Sequence, residues 1–378
     1  MSDKANSNLH KAKSGKNDEF YTQYNDIERE MQAYLEYDPD VFRGKTILLP
    51  CDDPEWSNFT KYFAQNFDTF GLKKLISTSY AYINKGLAPD YQPSLLESSD
   101  SKFDQEKTIK NGKIFILERD VNNDSKIDIH DLEWNYLEGD GDFRSAEVTA
   151  LRDEADLCVT NPPFSLFREF LAWLVDGDNK FTIIGNMNAI TYKNVFPLIK
   201  NNEMWLGATI SSGDREFEVP SNYPLTAAGY RTDESGRSYI RVKGVRWFTN
   251  IDHGRRHEPL QLMNMKDNLR YNKKVIKNKD EKNTIYQKYD NYDAIEVGYT
   301  NAIPSDYEGV MGVPISFLDK YNPDQFEILG ADTQVKEGSL PDLVNKEWAG
   351  KIDRGYVNNE RLYSRILIKH KNPLKESK

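Results

Sequence analysis

Cysteine is nearly absent: the chain has two, Cys51 and Cys158, in 378 residues. They do not form a Cys-x-x-Cys pair, so neither a zinc site nor a disulfide framework is indicated. Long apolar runs are missing too. None approaches the ~20 residues that span a bilayer, and the first residues hold no apolar signal region. A reducing cytoplasm is therefore the expected setting, with no membrane partner. An excess of positive charge is also lacking, and a net charge of -10 argues against a simple electrostatic nucleic-acid binder. Finally, no Gly-x-Gly follows the first strand-like run, which withdraws support from a phosphate-cradling dinucleotide loop.

Aromatic residues, by contrast, are plentiful. With 18 Phe, 22 Tyr and 6 Trp, a chain of mean hydropathy -0.74 can still build a sizeable core. Its length suggests two or three structural units. Charge is spread unevenly. Six cations stand between Arg237 and Arg256 against Asp252 alone, and eight Lys or Arg stand between Lys266 and Lys288 against three acids. Such a distribution fits a phosphate-facing surface and fits solvated loops equally well. Residues 1–16 read as a mobile basic tail, which either embraces DNA or simply frays.

Strand and helix signals alternate between residues 45 and 200. Helical spacing runs through Ile27, Met31, Tyr34 and Leu35, with Asp26 as a candidate cap. Lys45–Pro50 reads as a buried strand and Asn58–Phe67 as a helix. Leu72–Tyr80, Lys113–Leu117, Asp156–Thr160 and Lys180–Asn188 read as further strands. This alternation predicts a parallel, doubly wound sheet. Ligands in such sheets bind beyond the carboxyl ends of strands. The first such end carries Cys51-Asp52-Asp53-Pro54-Glu55, whose carboxylates suit an ammonium or ribose hydroxyls and fit a solvated loop equally well.

The turn Asn161-Pro162-Pro163-Phe164 carries the sharpest chemistry. Asn161 offers a side-chain carbonyl. Pro162 offers a backbone carbonyl held in place, since both proline φ angles are fixed, and the residue before each proline is pushed into extended geometry. Phe164 offers a flat ring. Two acceptors converging on one amino group beside a stacking face can hold a planar amine such as adenine N6. A strand-ending turn with a core phenylalanine fits the same four residues. Two other stretches stand out. Asp120, Asn122, Asp124, Asp128 and Asp131 fall at positions one, three, five, nine and twelve of a calcium-type loop, with the exiting helix expected over Asp131–Leu137. Against this, Ser125 replaces the sharp-turn glycine and Asp131 the bidentate glutamate. In Gly139-Asp-Gly-Asp-Phe143, Asp142 and Phe143 pair a carboxylate with a ring, as an adenine site would, although a plain turn fits as well. Beyond Trp205 short strand-like pieces dominate. They include Ser238–Lys243, Val245–Asn250 and Val310–Leu318, with a hairpin loop at Asp233–Gly236.

Taken together, the blocks Asn17-Asp-Glu-Phe-Tyr-Thr-Gln-Tyr24, Cys51-Asp-Asp-Pro-Glu-Trp-Ser-Asn-Phe59, Gly139-Asp-Gly-Asp-Phe-Arg-Ser145 and Val159-Thr-Asn-Pro-Pro-Phe-Ser-Leu-Phe-Arg-Glu169 closely resemble the EcoRI-type adenine-specific DNA methyltransferase family. So do Ile184–Tyr192, Gly244–Asn250 and Met311–Asn322. The resemblance runs from about Asn17 to Gly330. Its Asn-Pro-Pro-Phe block is shared with other amino-methyltransferases; the Cys-Asp-Asp-Pro and Gly-Asp-Gly-Asp-Phe-Arg-Ser blocks are more specific.

The resemblance implies a Rossmann-like class I fold that binds S-adenosylmethionine, with a C-terminal β-rich target-recognition region. Residues 17–205 would form the catalytic domain, with an acidic insertion at about 118–137. Residues 206–378 would complete the sheet and read DNA. The implied activity is methyl transfer to adenine N6 in double-stranded DNA, by a monomer, alongside a cognate restriction endonuclease. The implied catalytic residues are Asn161, Pro162, Pro163 and Phe164. Phe20, Tyr21 and Thr22 would surround the methionine end of the cofactor, Cys51, Asp52 and Asp53 would lie at the first strand's end, and Asp142 and Phe143 would face the cofactor's adenine. No acidic residue after Ile76 offers itself for the ribose. Trp247 or Phe248 would give the target base a second aromatic face. The rival readings are an RNA or protein-glutamine methyltransferase and a non-catalytic DNA- or calcium-binding protein of the same fold.

Overall fold

Thr46–Leu49 is buried along its whole length, because it lies between two parallel neighbours with both faces covered. The computed structural model describes residues 20–52, 57–81, 101–210, 214–219, 229–279 and 285–374. The basic tail of residues 1–16 and Asp53 lie outside them. In chain order the elements are α1 (Tyr24–Tyr37), β1 (Thr46–Leu49), α2 (Asn58–Gln65), β2 (Lys74–Ser79), β3 (Lys113–Leu117), β4 (Glu133–Tyr136) and α3 (Ala146–Glu154). There follow β5 (Leu157–Thr160), α4 (Phe167–Asp176), β6 (Lys180–Asn186), β7 (Trp205–Leu206), β8 (Asp214–Val219), β9 (Arg231–Thr232), β10 (Ser238–Lys243) and β11 (Val245–Thr249).

The main sheet has the order β4-β3-β2-β1-β5-β6-β11-β7. Its four central strands are parallel, with Ile47 opposite both Leu75 and Leu157. The flanks are antiparallel, through β3 and β4 on one side and β11 on the other. The chain leaves β1 for β2 and later returns to β1's other side as β5. The order therefore reverses between β1 and β5, the point where ligands bind in open α/β sheets. β8, β10 and β9 form a separate antiparallel sheet, and the Asp233–Gly236 turn closes its hairpin as expected, with the Asp233 N–H donating to the Arg237 carbonyl.

Two expected elements differ. Asp131–Leu137 is not a helix. A short 3-10 turn, Ile129–Asp131, leads into β4, which pairs with β3. Trp134 and Tyr136 stand two apart, so they share one face of the strand, with ring centroids 5.3 Å apart. Val310–Leu318 is a strand only over Met311–Val313. Pro314 then opens a 3-10 helix, Ile315–Lys320, since proline has no N–H to extend a ladder.

The chain divides into two compact units. One takes the described residues up to Ala189 with Leu206–His253; the other takes Ile190–Trp205 and the described residues from Gly254 on. The second unit holds a four-stranded sheet of Ile295–Glu296, Met311–Val313, Ile366–His370 and Phe326–Ala331. No helix among the described residues is long and apolar enough to cross a membrane.

Candidate active site

β5 ends because its next residues are Asn161, Pro162 and Pro163. The prolines bring no N–H to the ladder, and Phe164–Leu166 turns in 3-10 geometry before α4 begins. α4 holds this turn from below by burying Phe167, Phe170, Leu171, Trp173 and Leu174.

The Asn161 side chain is split in its bonding. Its Nδ2 donates to the Phe20 carbonyl at 2.6 Å, whereas its Oδ1 is buried and has no partner among the described residues. Such an acceptor costs about 1–3 kcal/mol when left unmade, and a buried orphan of this kind calls for a function. The Phe20 carbonyl fixes which way the amide points: the nitrogen must face it, so the oxygen is presented elsewhere.

Phe20 is itself held from a distance. Tyr21 and Glu218 of β8 exchange backbone hydrogen bonds of 2.9 and 3.1 Å. Phe164 meets Phe20 edge to face at 5.5 Å and Phe217 of β8 at 6.4 Å. The segment 20–22 thus docks between the Asn161–Phe164 turn and the small sheet. The Thr22 carbonyl accepts from Asn58 Nδ2 at 2.7 Å, and the buried Thr22 hydroxyl has no partner among the described residues. Thr22 Oγ1 and Asn161 Oδ1 are thus two unfilled polar atoms on segments that touch, which suits a polar ligand.

The loop after β1 turns sharply. Cys51 has φ +68°, a left-handed conformation that is uncommon for a residue with a Cβ. Asp52 follows, 7% exposed. Its Oδ1 accepts from the Ser57 hydroxyl at 2.8 Å and its Oδ2 from the Thr160 hydroxyl at 2.5 Å. Its N–H donates to the Thr78 carbonyl at 2.7 Å, and its own carbonyl accepts from the Ser77 hydroxyl. One residue therefore ties together the ends of β1, β2 and β5 and the cap of α2.

The Gly139–Asp142 block sits against the end of β2. The Ala81 N–H donates to the Asp140 carbonyl at 2.8 Å. Gly141, at φ +84°, approaches so closely that a Cβ would lie 2.3 Å from the Ser79 carbonyl oxygen. Asp142 is gripped by Arg144, through Nε at 2.9 Å and Nη2 at 2.6 Å, and Arg144 reaches on to Glu169 of α4 at 2.9 Å. Those Arg144 hydrogen bonds hold the Asp142 carboxyl below the usual carboxylate range, so it is ionised at neutral pH.

Tyr80, which the sequence pattern did not single out, joins these loops at the end of β2. Burial first, then the neighbouring Cys51 and Asp142, push its phenol far above the ordinary value. It stays a neutral hydroxyl at any physiological pH. Its position just past a buried strand was the available signal, but a lone tyrosine there reads as core, where a carboxylate would read as a ribose ligand.

Three expected aromatic contacts are corrected. Phe143 is 0% exposed, its ring packed against Phe170 at 5.0 Å and Trp173 at 5.5 Å. It offers no face to an adenine; it anchors the block that carries Asp142. Trp247 and Phe248 on β11 are likewise 0% exposed. Trp247 packs on Phe59 and Phe248 on Phe167, so neither can stack on a substrate base.

The acidic loop does not support calcium. Asp120 accepts from the N–H groups of Asn123 (2.6 Å) and Ser125 (2.9 Å), Asn122 from Asp124 (2.9 Å), Asp124 from Lys126 (2.9 Å) and Asp128 from His130 (2.9 Å). Asp131, 2% exposed, accepts from Val121, Asn122 and Asp128. These oxygens close the loop itself, and the helix that should leave it is β4. Among the described residues no group of three or more His, Cys, Asp or Glu is placed to hold a metal ion.

The family model described as adenine-specific methyltransferase EcoRI matches residues 8–371. The Type II methyltransferase M.EcoRI of Escherichia coli is 43% identical over 363 residues, 96% of this chain and 96% of its own length. M.MpnI of Mycoplasma pneumoniae and M.MgeORF184P of Mycoplasma genitalium are each 32% identical, over 96% of this chain and 98% of theirs. No solved structure matches the chain. A family match of this extent, with a relative 43% identical over nearly the whole chain, places the chain in the EcoRI adenine-specific methyltransferase family.

Proposed function

We infer that the chain transfers a methyl group from S-adenosylmethionine to N6 of adenine at a defined site in duplex DNA, as the modification enzyme of a restriction system. Membership of a methyltransferase family implies the methyl donor; the buried Asn161 Oδ1, without a partner among the described residues, carries the assignment of the acceptor. S-adenosylmethionine, when bound, supplies a methyl on a sulfonium sulfur. Thr22 Oγ1, the Tyr80 hydroxyl and the Asp142 carboxylate are the polar groups suited to hold it, with Cys51 and Asp52 shaping the loop beneath. The target base is flipped out of the duplex, at a cost of a few kcal/mol. Asn161 Oδ1 and the Pro162 carbonyl accept the two N6 hydrogens. That draws the nitrogen lone pair out of ring conjugation and aims it at the methyl carbon. With the donor bound, N6 would take the methyl from the sulfonium and leave a neutral thioether, and the surplus N6 proton would leave to water. Phe164 stacks on the base. We further propose that residues beyond 205 carry most target recognition, helped by the basic tail, and that the enzyme acts as a monomer beside a cognate endonuclease.

Purified protein with methyl-labelled S-adenosylmethionine should label duplex DNA, and sequencing of that DNA should show N6-methyladenine at one recurring site. Label appearing on RNA or protein instead would overturn the assignment. Replacing Phe164 by alanine should raise the apparent Kd for DNA by roughly ten-fold, since stacking contributes about 1–3 kcal/mol per base. Phe164→Trp should be milder. Equal Kd values for both variants and the wild type would remove Phe164 from base capture.

A further inference from the structure

A strongly basic element among the described residues is the helix pair Met265–Tyr271 and Lys273–Lys279 in the second unit. Within a chain of net charge -10, it holds Lys266, Arg270, Lys273, Lys274, Lys277 and Lys279 against Asp267 alone. Its inner side is firmly mounted. Val275 is 1% exposed and Asn268 0%. Asn268 Nδ2 donates to the Met263 carbonyl at 3.1 Å. Asn272 Nδ2 donates to Asn268 Oδ1 at 3.0 Å and to the Asn301 carbonyl at 2.9 Å. The Met265 N–H donates to Asp306 at 2.8 Å. The outer side is therefore presented by a fixed base.

That outer side is not simply a solvated charged face. Lys266, Arg270, Lys273, Lys274 and Lys277 are exposed, and among the described residues no ion pair engages Lys266, Arg270, Lys273 or Lys277. Of the ten exposed large hydrophobic side chains among the described residues, three fall here, Leu269 (40%), Tyr271 (66%) and Ile276 (42%), and Met263 (36%) lies two residues before the first helix. On the first helix Lys266, Leu269 and Arg270 are spaced three and four apart, so cation and apolar group share one side. The exposed Leu, Ile and Tyr stand among these cations, so the surface is mixed basic and apolar rather than charged alone. Phosphate-facing surfaces pair cations with groups that pack on sugars and base edges.

We propose that the helix pair 265–279 is a principal DNA-docking element of this enzyme, its lysines and Arg270 gripping the phosphate backbone while Leu269 and Tyr271 pack against the sugars and base edges between. The inference rests on the reading of the chain as a DNA methyltransferase and goes beyond it by naming the surface. The test uses the full chain carrying Lys266→Ala, Arg270→Ala, Lys273→Ala and Lys277→Ala together, and separately Tyr271→Ala. Binding to a fluorescent duplex that the wild type methylates is measured over a range of salt concentrations.

The quadruple variant should bind at least about ten-fold more weakly at low salt, and its salt slope should be shallower by roughly 0.9 for each phosphate it no longer neutralises. Tyr271→Ala should weaken binding with the slope unchanged. S-adenosylmethionine affinity by calorimetry should stay at the wild-type value in both, which also shows that they fold. A quadruple variant with wild-type affinity and slope would overturn the proposal. A wild-type chain that binds no duplex would overturn the DNA reading along with it.

Discussion

Asn161→Ala should lower single-turnover methylation by about 1,000-fold while leaving the protein folded and both substrates bound. The two halves of that expectation come from the two ends of one side chain. Removing Oδ1 deletes an acceptor that has no partner among the described residues, which relieves a cost of about 1–3 kcal/mol. Removing Nδ2 leaves the Phe20 carbonyl without its 2.6 Å donor, a loss of similar size. Stability should therefore change by less than about 1 kcal/mol, because the two effects oppose. Catalysis has no such compensation. A single preorganised hydrogen-bonding group is worth about 100- to 1,000-fold in rate, and this one also aligns the attacking nitrogen. A melting curve, cofactor calorimetry and a rapid-quench assay measure the separate parts. Turnover within ten-fold of wild type would exclude Asn161 from the acceptor role.

Asn161→Asp sharpens the same point. Aspartate has acceptors at both ends, and one would face the Phe20 carbonyl at the 2.6 Å spacing now filled by an N–H. Two acceptors so close repel, so the side chain must swing away. The aspartate variant should then be as inactive as the alanine one and less stable than it. Full activity with aspartate would mean that the Phe20 carbonyl does not set the orientation of the group.

The central strands and the Asn161–Phe164 turn that ends β5 were legible in the sequence because both are local signals. β1 and β5 are short apolar runs ending in polar turns, and such runs read as strands buried on both faces. The aromatic residues were harder. Phe143, Trp247 and Phe248 stand in polar surroundings, as ligand-facing rings do, yet all three are 0% exposed. A ring's neighbours along the chain do not reveal its neighbours in space. The same limit hid the long-range contacts, at the site and elsewhere in the first unit. Phe20 meets Asn161 across 141 positions, and the buried Glu30 accepts from Ala208 and Thr209, 178 and 179 positions away. No periodicity records such pairings. β4 was missed for a different reason: four residues are too few for alternation to be told from a helix.

Asp52 is where local pattern and long-range contact meet, and Asp52→Ala should be the most damaging change outside the Asn161–Phe164 turn. Its place at the end of β1 suggests a direct ligand to the methyl donor. Its geometry makes it a tie within the protein. Both carboxylate oxygens receive hydroxyls, from Ser57 and Thr160, and Thr160 is the residue before Asn161. Hydrogen bonds to a charged group are worth about 1.5–3 kcal/mol each. Thr160 retains a second acceptor in the Pro50 carbonyl at 2.8 Å, so the expected loss of stability is about 2–4 kcal/mol, less than two full bonds. The end of β5 would lose its fixed distance from β1, and a shift of about 1 Å at a reacting group costs on the order of 100-fold in rate. The tie thus predicts a lowered melting temperature and a kcat reduced about 100-fold, with a smaller fall in cofactor affinity. Asp52→Asn keeps the shape, and both hydroxyls can still meet the amide oxygen or donate elsewhere, so it should fall between wild type and alanine on all three measures. A direct ligand predicts the reverse order: cofactor affinity collapsing while the melting temperature holds. If calorimetry and melting curves of Asp52→Ala show that order, the carboxylate belongs to the methyl donor, and the coupling of β1 to the catalytic turn must run through the backbone bonds alone.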